Sequence, residues 1–163
     1  MHAKPVVSNT TPLITFWAIR RLDILQDLFG EILIAPAVHA EFIAYPDSSR
    51  RESIQKANWL KLQPLSNPMR TRVFISLDIG EAETLALAEE TNAQLVLMDE
   101  RKGRAYAQRM GLPLSGSFGA LLLAKEKHII TAVSPLLHEI QNAGLFIHPN
   151  LFHAVLELAN ETD

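Results

Sequence analysis

The stretch Val6-Val7-Ser8-Asn9-Thr10-Thr11-Pro12-Leu13-Ile14 decides the fold of this chain. Its apolar start, Val6-Val7, predicts a short buried strand. The polar residues that follow, from Ser8 to Pro12, predict a turn and the beginning of a helix. A buried strand that leads at once into a helix is typical of a sheet whose neighbouring strands are joined by helices.

The same alternation continues along the chain. Apolar runs predict strands at residues 32–34, 94–98 and 112–114, an edge strand within 59–65 between prolines, and a last strand at 145–147. Helical spacing, capping residues and closing glycines predict the helices, which cover 22–29, 36–45, 102–110, 120–125 and 133–142, with others beginning after Pro12, Pro46, Leu77 and His148.

Short strands that alternate with helices predict an α/β fold with a parallel sheet covered on both faces. The 163 residues match the usual size of one domain, and no internal repeat is visible, so we expect a single domain over residues 1–163. The apolar share of 48% is ample for a hydrophobic core.

Composition excludes several classes of function. The chain has no cysteine, which removes disulfides, thiolate zinc sites and cysteine nucleophiles and fits a reducing compartment. The segment Met1–Pro5 lacks a signal-peptide layout, and we expect a cytoplasmic protein without a membrane span. The net charge of −3 means that a nucleic-acid partner must be held by a local basic patch or by bound metal.

Polar side chains follow two of the predicted strands. Asn9 and Asp99 stand at strand ends, Glu41 lies on the helix after the second strand, and Glu81 lies at the start of the helix before the third. Ligands in open α/β sheets bind outside the carboxyl ends of the strands, so these residues can meet at one edge. Carboxylate oxygens are the ligands that Mg²⁺ prefers, and crowded carboxylates need a cation or protons.

Each acid also has a simpler role, and Glu41, like most helical glutamates, can be a surface residue. Asp78 and Glu81 match a capping box, in which each side chain accepts a hydrogen bond from the other residue's backbone N–H. Glu83 is two positions from Glu81 and projects to another side of the helix. Asp99 can cap the helix that follows it, although an acid is a poor residue for a buried strand.

These residues, taken in order, resemble the PIN-domain family, specifically an uncharacterised prokaryotic PIN-like branch. The resemblance is carried by Val6–Ile14, by the glutamate of Ile34–Glu41, by Asp78-Ile79-Gly80-Glu81-Ala82-Glu83, by Leu95–Glu100 with Arg104 on the next helix, and by Gly116-Ser117-Phe118-Gly119. It runs over about the whole chain. It implies a three-layer fold whose central sheet of about five mostly parallel strands is flanked by helices.

The resemblance also implies an activity: a divalent-metal-dependent nuclease, specifically a ribonuclease using Mg²⁺ or Mn²⁺, often the toxin of a toxin–antitoxin pair, and often a homodimer. Carried over by residue, catalysis would rest on Glu41, Glu81 and Asp99. The metal would be bound by Asn9, Glu41, Glu81 and Asp99, with Asp78 and Glu83 as further ligands. Ser117 would hydrogen-bond a phosphate or a metal-bound water. Partners would be RNA or another single-stranded nucleic acid and an antitoxin protein.

Asn9 departs from the family pattern, which usually has aspartate at this position. Its amide oxygen can still bind a metal ion, but it adds no negative charge and cannot act as a base. We therefore expect weaker cation binding at this site than an aspartate would give.

Positive charge for a nucleic acid is available beside Asp99. Arg101 and Arg104 follow it on one helix and can neutralise phosphates, although a solvated helix face explains them as well.

One other reading stays open on sequence grounds, and two are disfavoured. A PIN-like domain that binds nucleic acid or a protein partner without cutting is favoured by Asn9 and by the acidic net charge. A phosphoaspartyl enzyme would need aspartate where Asn9 stands, and dinucleotide binding lacks its glycine-rich turn. The apolar face of residues 151–159 predicts either packing on the domain or a dimer contact.

Overall fold

The computed structural model describes residues 4–162, so Met1–Ala3 of the segment assessed for a signal peptide lie outside the described residues. The described chain is an α/β domain with a five-stranded sheet in the order β3-β2-β1-β4-β5. All pairings between neighbours are parallel. The strands are β1 (Val6–Ser8), β2 (Ile32–Ile34), β3 (Leu60–Leu62), β4 (Leu95–Leu97) and β5 (Leu114–Ser115). The α/β class is confirmed, and the sheet is wholly rather than mostly parallel.

The strand order creates a switch point beside β1. The chain adds β2 and β3 on one side of β1 and then crosses to add β4 and β5 on the other side. Val6 is in register with Leu95, and Ser8 with Leu97, so β1 and β4 end at the same level. Open α/β sheets bind ligands in the crevice that forms at such a point.

Helices flank the sheet, and their bounds follow the predictions closely. They are α1 (Thr10–Ala18), α2 (Leu22–Phe29), α3 (Pro36–Ile43), α4 (Ser48–Lys56), α5 (Ile79–Glu90), α6 (Arg101–Arg109), α7 (Ser117–Glu126), α8 (Ser134–Asn142) and α9 (Pro149–Leu158). A 3₁₀ helix, Pro68–Val73, was not predicted.

The core explains why the strand sequences are apolar without alternation. Val7, Val96 and Leu97 are fully buried, because helices cover the strands on both faces. Phe16 of α1 and Leu121 of α7 are fully buried too. These contacts fix the helices whose first residues carry the site described below.

Two sequence predictions were wrong. Residues 145–147 form no strand: the chain turns at Gly144, where φ is +92°, and Pro149 soon begins α9. The segment buries Ile147 in the core and leaves Phe146 exposed. The helix predicted at 120–125 begins earlier, because α7 already starts at Ser117 and includes most of the small-residue segment 116–119.

Glu161 holds the C-terminal end of the described chain. Its carboxylate accepts hydrogen bonds from the backbone N–H groups of Val133 at 2.8 Å and Ser134 at 2.9 Å. It also pairs with Lys125 Nζ at 3.0 Å. The start of α8 is thereby capped from a distant part of the sequence.

Helix α9 includes part of the apolar face predicted at 151–159. Its Val155 is buried in the core, while its Leu158 is exposed.

Among residues 4–162, no helix is both long enough and apolar enough to cross a membrane.

Candidate metal and nucleic-acid site

Four helices begin around the carboxyl ends of β1 and β4. Helix α1 follows β1, α6 follows β4, α7 follows β5, and α5 starts beside Asn9 and Glu41. The first turn of a helix presents free N–H groups and the positive end of the helix dipole. This edge of the sheet therefore favours negatively charged side chains and phosphates.

Asn9 and Glu100 join β1 to β4 at the switch point. Each is the residue before a helix, yet neither side chain caps its own helix. Instead, Asn9 Nδ2 donates a hydrogen bond of 2.9 Å to Glu100 Oε2, and Thr11 Oγ1 donates to Glu100 Oε1. Asn9 is 3% exposed, so its amide is a buried group with a defined partner.

Oxygen atoms converge on Gly80, at the first turn of α5. A Cβ atom added to Gly80 would lie 2.8 Å from Glu41 Oε2, 3.5 Å from Asp78 Oδ1 and 3.6 Å from Asn9 Oδ1. Glu41 is oriented by Thr10 Oγ1, which donates to Glu41 Oε2 at 2.9 Å. The missing side chain of Gly80 leaves a small space surrounded by two carboxylates and an amide oxygen.

The predicted capping box is confirmed. Asp78 Oδ1 accepts from the Glu81 backbone N–H at 2.8 Å, and Glu81 Oε2 accepts from the Asp78 backbone N–H at 3.2 Å. Burial raises the pKa of Glu81, and the negative charges of Asp78, Glu100 and Glu41 raise it further, against the Asp78 hydrogen bond. Glu81 is thus a structural residue that also interacts electrostatically with the neighbouring carboxylates of Asp78, Glu100 and Glu41.

Asp99 is turned toward α7. Its Oδ1 accepts from the Ser117 backbone N–H at 2.7 Å, and its Oδ2 accepts from Ser117 Oγ at 2.6 Å. Gly116, the residue before α7, has no side chain to cap that helix, so Asp99 supplies the cap. Burial raises the pKa of Asp99 overall, although the Ser117 hydrogen bonds and the charge of Arg104 act to lower it.

The residues predicted to bind nucleic acid differ in their surroundings. Ser117 is 2% exposed and committed to Asp99. Arg104 is half-buried and donates from Nη1 to the Met98 carbonyl at 2.8 Å. Arg101 is exposed at the start of α6. Of the three, Arg101 extends most freely into solvent.

Glu83, predicted as a further ligand, lines a separate small cavity of about 260 Å³ together with Pro36, Pro68 and Ile79. Asn9, Glu41 and Asp78 are brought together around Gly80, with Glu81 and Glu100 beside them.

The donor set fits a hard divalent cation. Carboxylate and amide oxygens are the ligands that Mg²⁺ and Mn²⁺ take, and the space over Gly80 has three such atoms around it. Within residues 4–162, no three acidic or histidine side chains have a geometry that could hold a metal ion. Asn9 is an amide, and the carboxylates of Glu81 and Asp99 accept backbone hydrogen bonds at the starts of α5 and α7.

The sequence profile of a family described as a PIN domain matches residues 5–161. This chain belongs to the PIN-domain family, as the resemblance predicted. The family is associated with nuclease-type function and nucleic-acid binding, and PIN domains generally use divalent metal ions. No curated protein matches the chain.

Sequence reasoning missed Glu100. It selected Asp99 because that residue ends the apolar run of β4, yet the next side chain is the one that reaches Asn9. Successive side chains of an extended segment point to opposite sides, so an adjacent pair of acids offers one carboxylate to each side. That signal was present at Asp99-Glu100. The orienting roles of Thr10 and Thr11 had no comparable signal.

Proposed function

We propose that this chain is a divalent-metal-dependent ribonuclease that hydrolyses phosphodiester bonds at the switch point between β1 and β4. One observation carries the proposal: in a PIN-domain chain, oxygen atoms of Asn9, Glu41 and Asp78 surround the space over Gly80. Glu81 and Glu100 add carboxylates within electrostatic reach of this space.

Mg²⁺ or Mn²⁺ would be held by Glu41, Asp78 and the amide oxygen of Asn9, with Glu81 and Glu100 as neighbouring carboxylates. When bound, the ion supplies a water of lowered pKa and stabilises charge on the attacked phosphate. Asp99 and Glu83, which were also expected to bind the metal, are proposed only as secondary ligands. Asp99 caps α7, and Glu83 lines another cavity.

The chain's own residues fix the geometry of this site. Thr10 orients Glu41, while Asn9 and Thr11 hold both oxygens of Glu100. Carboxylates that are held before substrate arrives need no reorganisation during reaction. Hydrolysis then requires a water oxygen to bond to phosphorus as the bond to the 3′ oxygen breaks, with no serine, cysteine or histidine nucleophile.

Substrate binding would use local positive charge, because the net charge of −3 opposes a general attraction to RNA. The first turns of α1 and α6 direct their N–H groups toward this edge, and Arg101 and Arg104 lie on α6. The phosphates beside the scissile bond would contact these groups.

A second function, nucleic-acid binding without cleavage, is favoured by the Asn9 Nδ2 bond to Glu100. An aspartate in that position would repel Glu100 and call for a cation, whereas the amide satisfies Glu100 without one. The same fold and the same phosphate contacts would then serve binding alone.

Cleavage of a labelled single-stranded RNA in Mn²⁺ separates the two functions. We expect the native chain to cut, and Glu41→Gln and Asp78→Asn each to reduce the rate by at least about 100-fold, a loss typical of removing a charged group from a preorganised site. Glu31→Gln, which changes an exposed acid elsewhere, is the matched control. An inactive native chain that becomes active as Asn9→Asp would assign the binding role instead.

The toxin role is a narrower form of the proposal. It predicts that induced expression of the native chain arrests growth of a bacterial host and that Glu41→Gln does not. Capture of a protein partner that abolishes cleavage would identify the antitoxin. A homodimer, with exposed Leu158 of α9 as a contact, would show twice the chain mass in light scattering.

A further inference from the structure

A cavity of about 710 Å³ lies away from the acidic site. Its wall includes Trp17 at the end of α1, Lys56 at the end of α4 and Trp59 just before β3. Helix α1 starts at the acidic site, and its 9 residues span about 13 Å. The cavity therefore lies at the opposite edge of the sheet, where the acids play no part.

Aromatic rings are the distinctive component of this cavity. The chain contains 2 tryptophans, and both line the cavity. Trp17 is held in place by an edge-to-face contact with Phe42, at 6.4 Å between centroids, and by the guanidinium of Arg50 at 4.9 Å from its ring. Arg50 is 7% exposed and serves as packing behind Trp17. A tryptophan fixed in this way loses little freedom when a ligand binds.

The charges around the cavity are unevenly committed. Two acids line it: Asp23 pairs with Arg21 at 3.1 Å, and Asp47 caps α4 by accepting from the Ser49 N–H at 2.9 Å. The cations on the wall, Arg20 and Lys56, form no ion pair within residues 4–162. The cavity thus offers free positive groups beside aromatic rings, which is the combination that binds nucleotides.

We propose that this cavity binds one nucleotide of a single-stranded RNA, with the base against Trp59 and Trp17 and the phosphate at Arg20 and Lys56. A volume of about 710 Å³ accommodates a small-molecule-sized ligand. The choice of RNA rests on the proposed function. The cavity would serve as a second contact for a strand whose other part reaches the acidic edge.

Tryptophan fluorescence tests this site directly, because both tryptophans line it. The native chain is titrated in EDTA, which prevents metal-dependent cleavage, with AMP, with a short single-stranded oligoadenylate and with ribose 5-phosphate. We expect quenching by AMP and by the oligoadenylate and little by ribose 5-phosphate, since the base supplies the stacking. Failure of both base-containing probes to quench would overturn the proposal, as would quenching by ribose 5-phosphate alone.

Substitutions assign the binding to named residues. Lys56→Gln and Arg20→Asn should each weaken oligoadenylate binding by about three-fold or more at low salt, through loss of a phosphate contact. Asparagine tolerates the positive φ of 58° at Arg20. Lys127→Gln, another exposed lysine, is the matched control and should leave binding unchanged. Equal affinity for Lys56→Gln and native chain would contradict the phosphate assignment.

Trp59→Leu should weaken binding by about five-fold or more, with Trp17 as the remaining reporter. A thermal melt shows whether this variant is folded, and Trp59→Phe should retain most of the affinity. Undiminished binding by a folded Trp59→Leu would overturn the base assignment.

Glu41→Gln separates this proposal from the nuclease proposal. It should stop cleavage while leaving the quenching intact. Quenching in a chain that never cuts would leave the cavity assigned and the nuclease function rejected. Cleavage without quenching would do the reverse.

Discussion

At the scale of single residues, the bond between Asn9 and Glu100 determines how much repulsion the acidic site contains. In a cluster of carboxylates, a bound ion or a proton must offset the repulsion. Here the Asn9 amide donates to Glu100 at 2.9 Å, and Thr11 donates to the other oxygen. The site therefore needs fewer bound cations or protons to offset its repulsion. In exchange, it has an amide where an aspartate would supply one more anionic ligand for a metal ion.

Asn9→Asp should make the fold depend on metal. In EDTA, we expect a loss of about 1–3 kcal/mol in unfolding free energy, because a buried donor is lost and like charges meet. Added Mn²⁺ should restore more stability to Asn9→Asp than to the native chain. Thermal denaturation with EDTA or Mn²⁺ measures both effects.

Asn58→Asp, at an exposed position, is the control and should respond like the native chain. Equal Mn²⁺ responses of Asn9→Asp and native chain would contradict the role given to the amide.

Glu81→Gln should stabilise the fold at neutral pH. The pKa of Glu81 is raised by burial and by its acidic neighbours, so its charged form costs folding energy above the raised value. Below the ordinary value of 4.5, the carboxyl is protonated in both states and the cost disappears. Glutamine keeps the capping contact to Asp78, so we expect a gain below about 1 kcal/mol at pH 7 that vanishes in acid.

Urea denaturation at neutral pH and at a pH below 4.5 measures this difference. A loss of stability at neutral pH would show that the capping bond of Glu81 outweighs the repulsion. If Glu81 also serves the metal, the more stable variant should cut more slowly.

At the scale of helices and strands, much of the structure was predictable from sequence. Prolines and capping residues placed the starts of α3, α5 and α9, and the capping box at Asp78 was identified outright. These signals act between residues that are close in sequence, so they can be recognised in one amino-acid sequence alone. Alternation predicts that Asp99 and Glu100 point to opposite sides, but which of them reaches Asn9 was not predictable, because it depends on α7 and α1, which are distant in sequence.

Gly80→Ala should weaken metal binding while leaving the stability of the fold nearly unchanged. The added Cβ would lie 2.8 Å from Glu41 Oε2, which is the end of a flexible, exposed side chain. Alanine also favours the helix by about 0.5–1 kcal/mol, so thermal stability should change little. We expect Mn²⁺ binding, measured by calorimetry, to weaken as Glu41 is displaced. Mn²⁺ affinity equal to that of the native chain would place the metal elsewhere.

Asp99→Ala should reduce stability as well as any activity. Asp99 caps α7 through two hydrogen bonds to Ser117, and loss of a cap costs about 1–2 kcal/mol. Chemical denaturation measures the loss, and Ser117→Ala should show part of it. Asp23→Asn breaks an exposed ion pair and should cost at most about 1 kcal/mol. An Asp99→Ala chain of native stability would contradict the capping role.

At the scale of the whole molecule, the starts of four helices and a group of carboxylates lie at the same edge of the sheet. The helices that begin at one edge of the sheet offset the carboxylates gathered there. The tail has a related arrangement, since Glu161 caps α8 and pairs with Lys125 of α7. Contacts of this kind join parts of the chain that are distant in sequence, so local sequence patterns do not predict them.

Glu161→Ala should destabilise the domain by about 1–3 kcal/mol, because backbone N–H groups at the start of α8 lose a charged acceptor. Burial alone would raise the pKa of Glu161, but the Val133 and Ser134 N–H groups and Lys125 lower it overall. The stabilisation is thus present above 4.5 and is lost as the pH falls through the lowered value. Denaturation across pH measures it, with exposed Glu157→Ala as control. Equal losses of stability for Glu161→Ala and Glu157→Ala would contradict the capping role of Glu161.

The hydrogen bond between Asn9 and Glu100 spans 91 positions of the sequence. During synthesis, β1 leaves the ribosome first, yet its neighbour β4 is made only after β2 and β3. A nascent chain that ends before Leu95 therefore has a first strand with one open edge, and it also lacks Glu100 of the acidic site. Non-local pairing of this kind slows folding. The acidic edge of the sheet would thus stay incomplete until more than half of the polypeptide has been made.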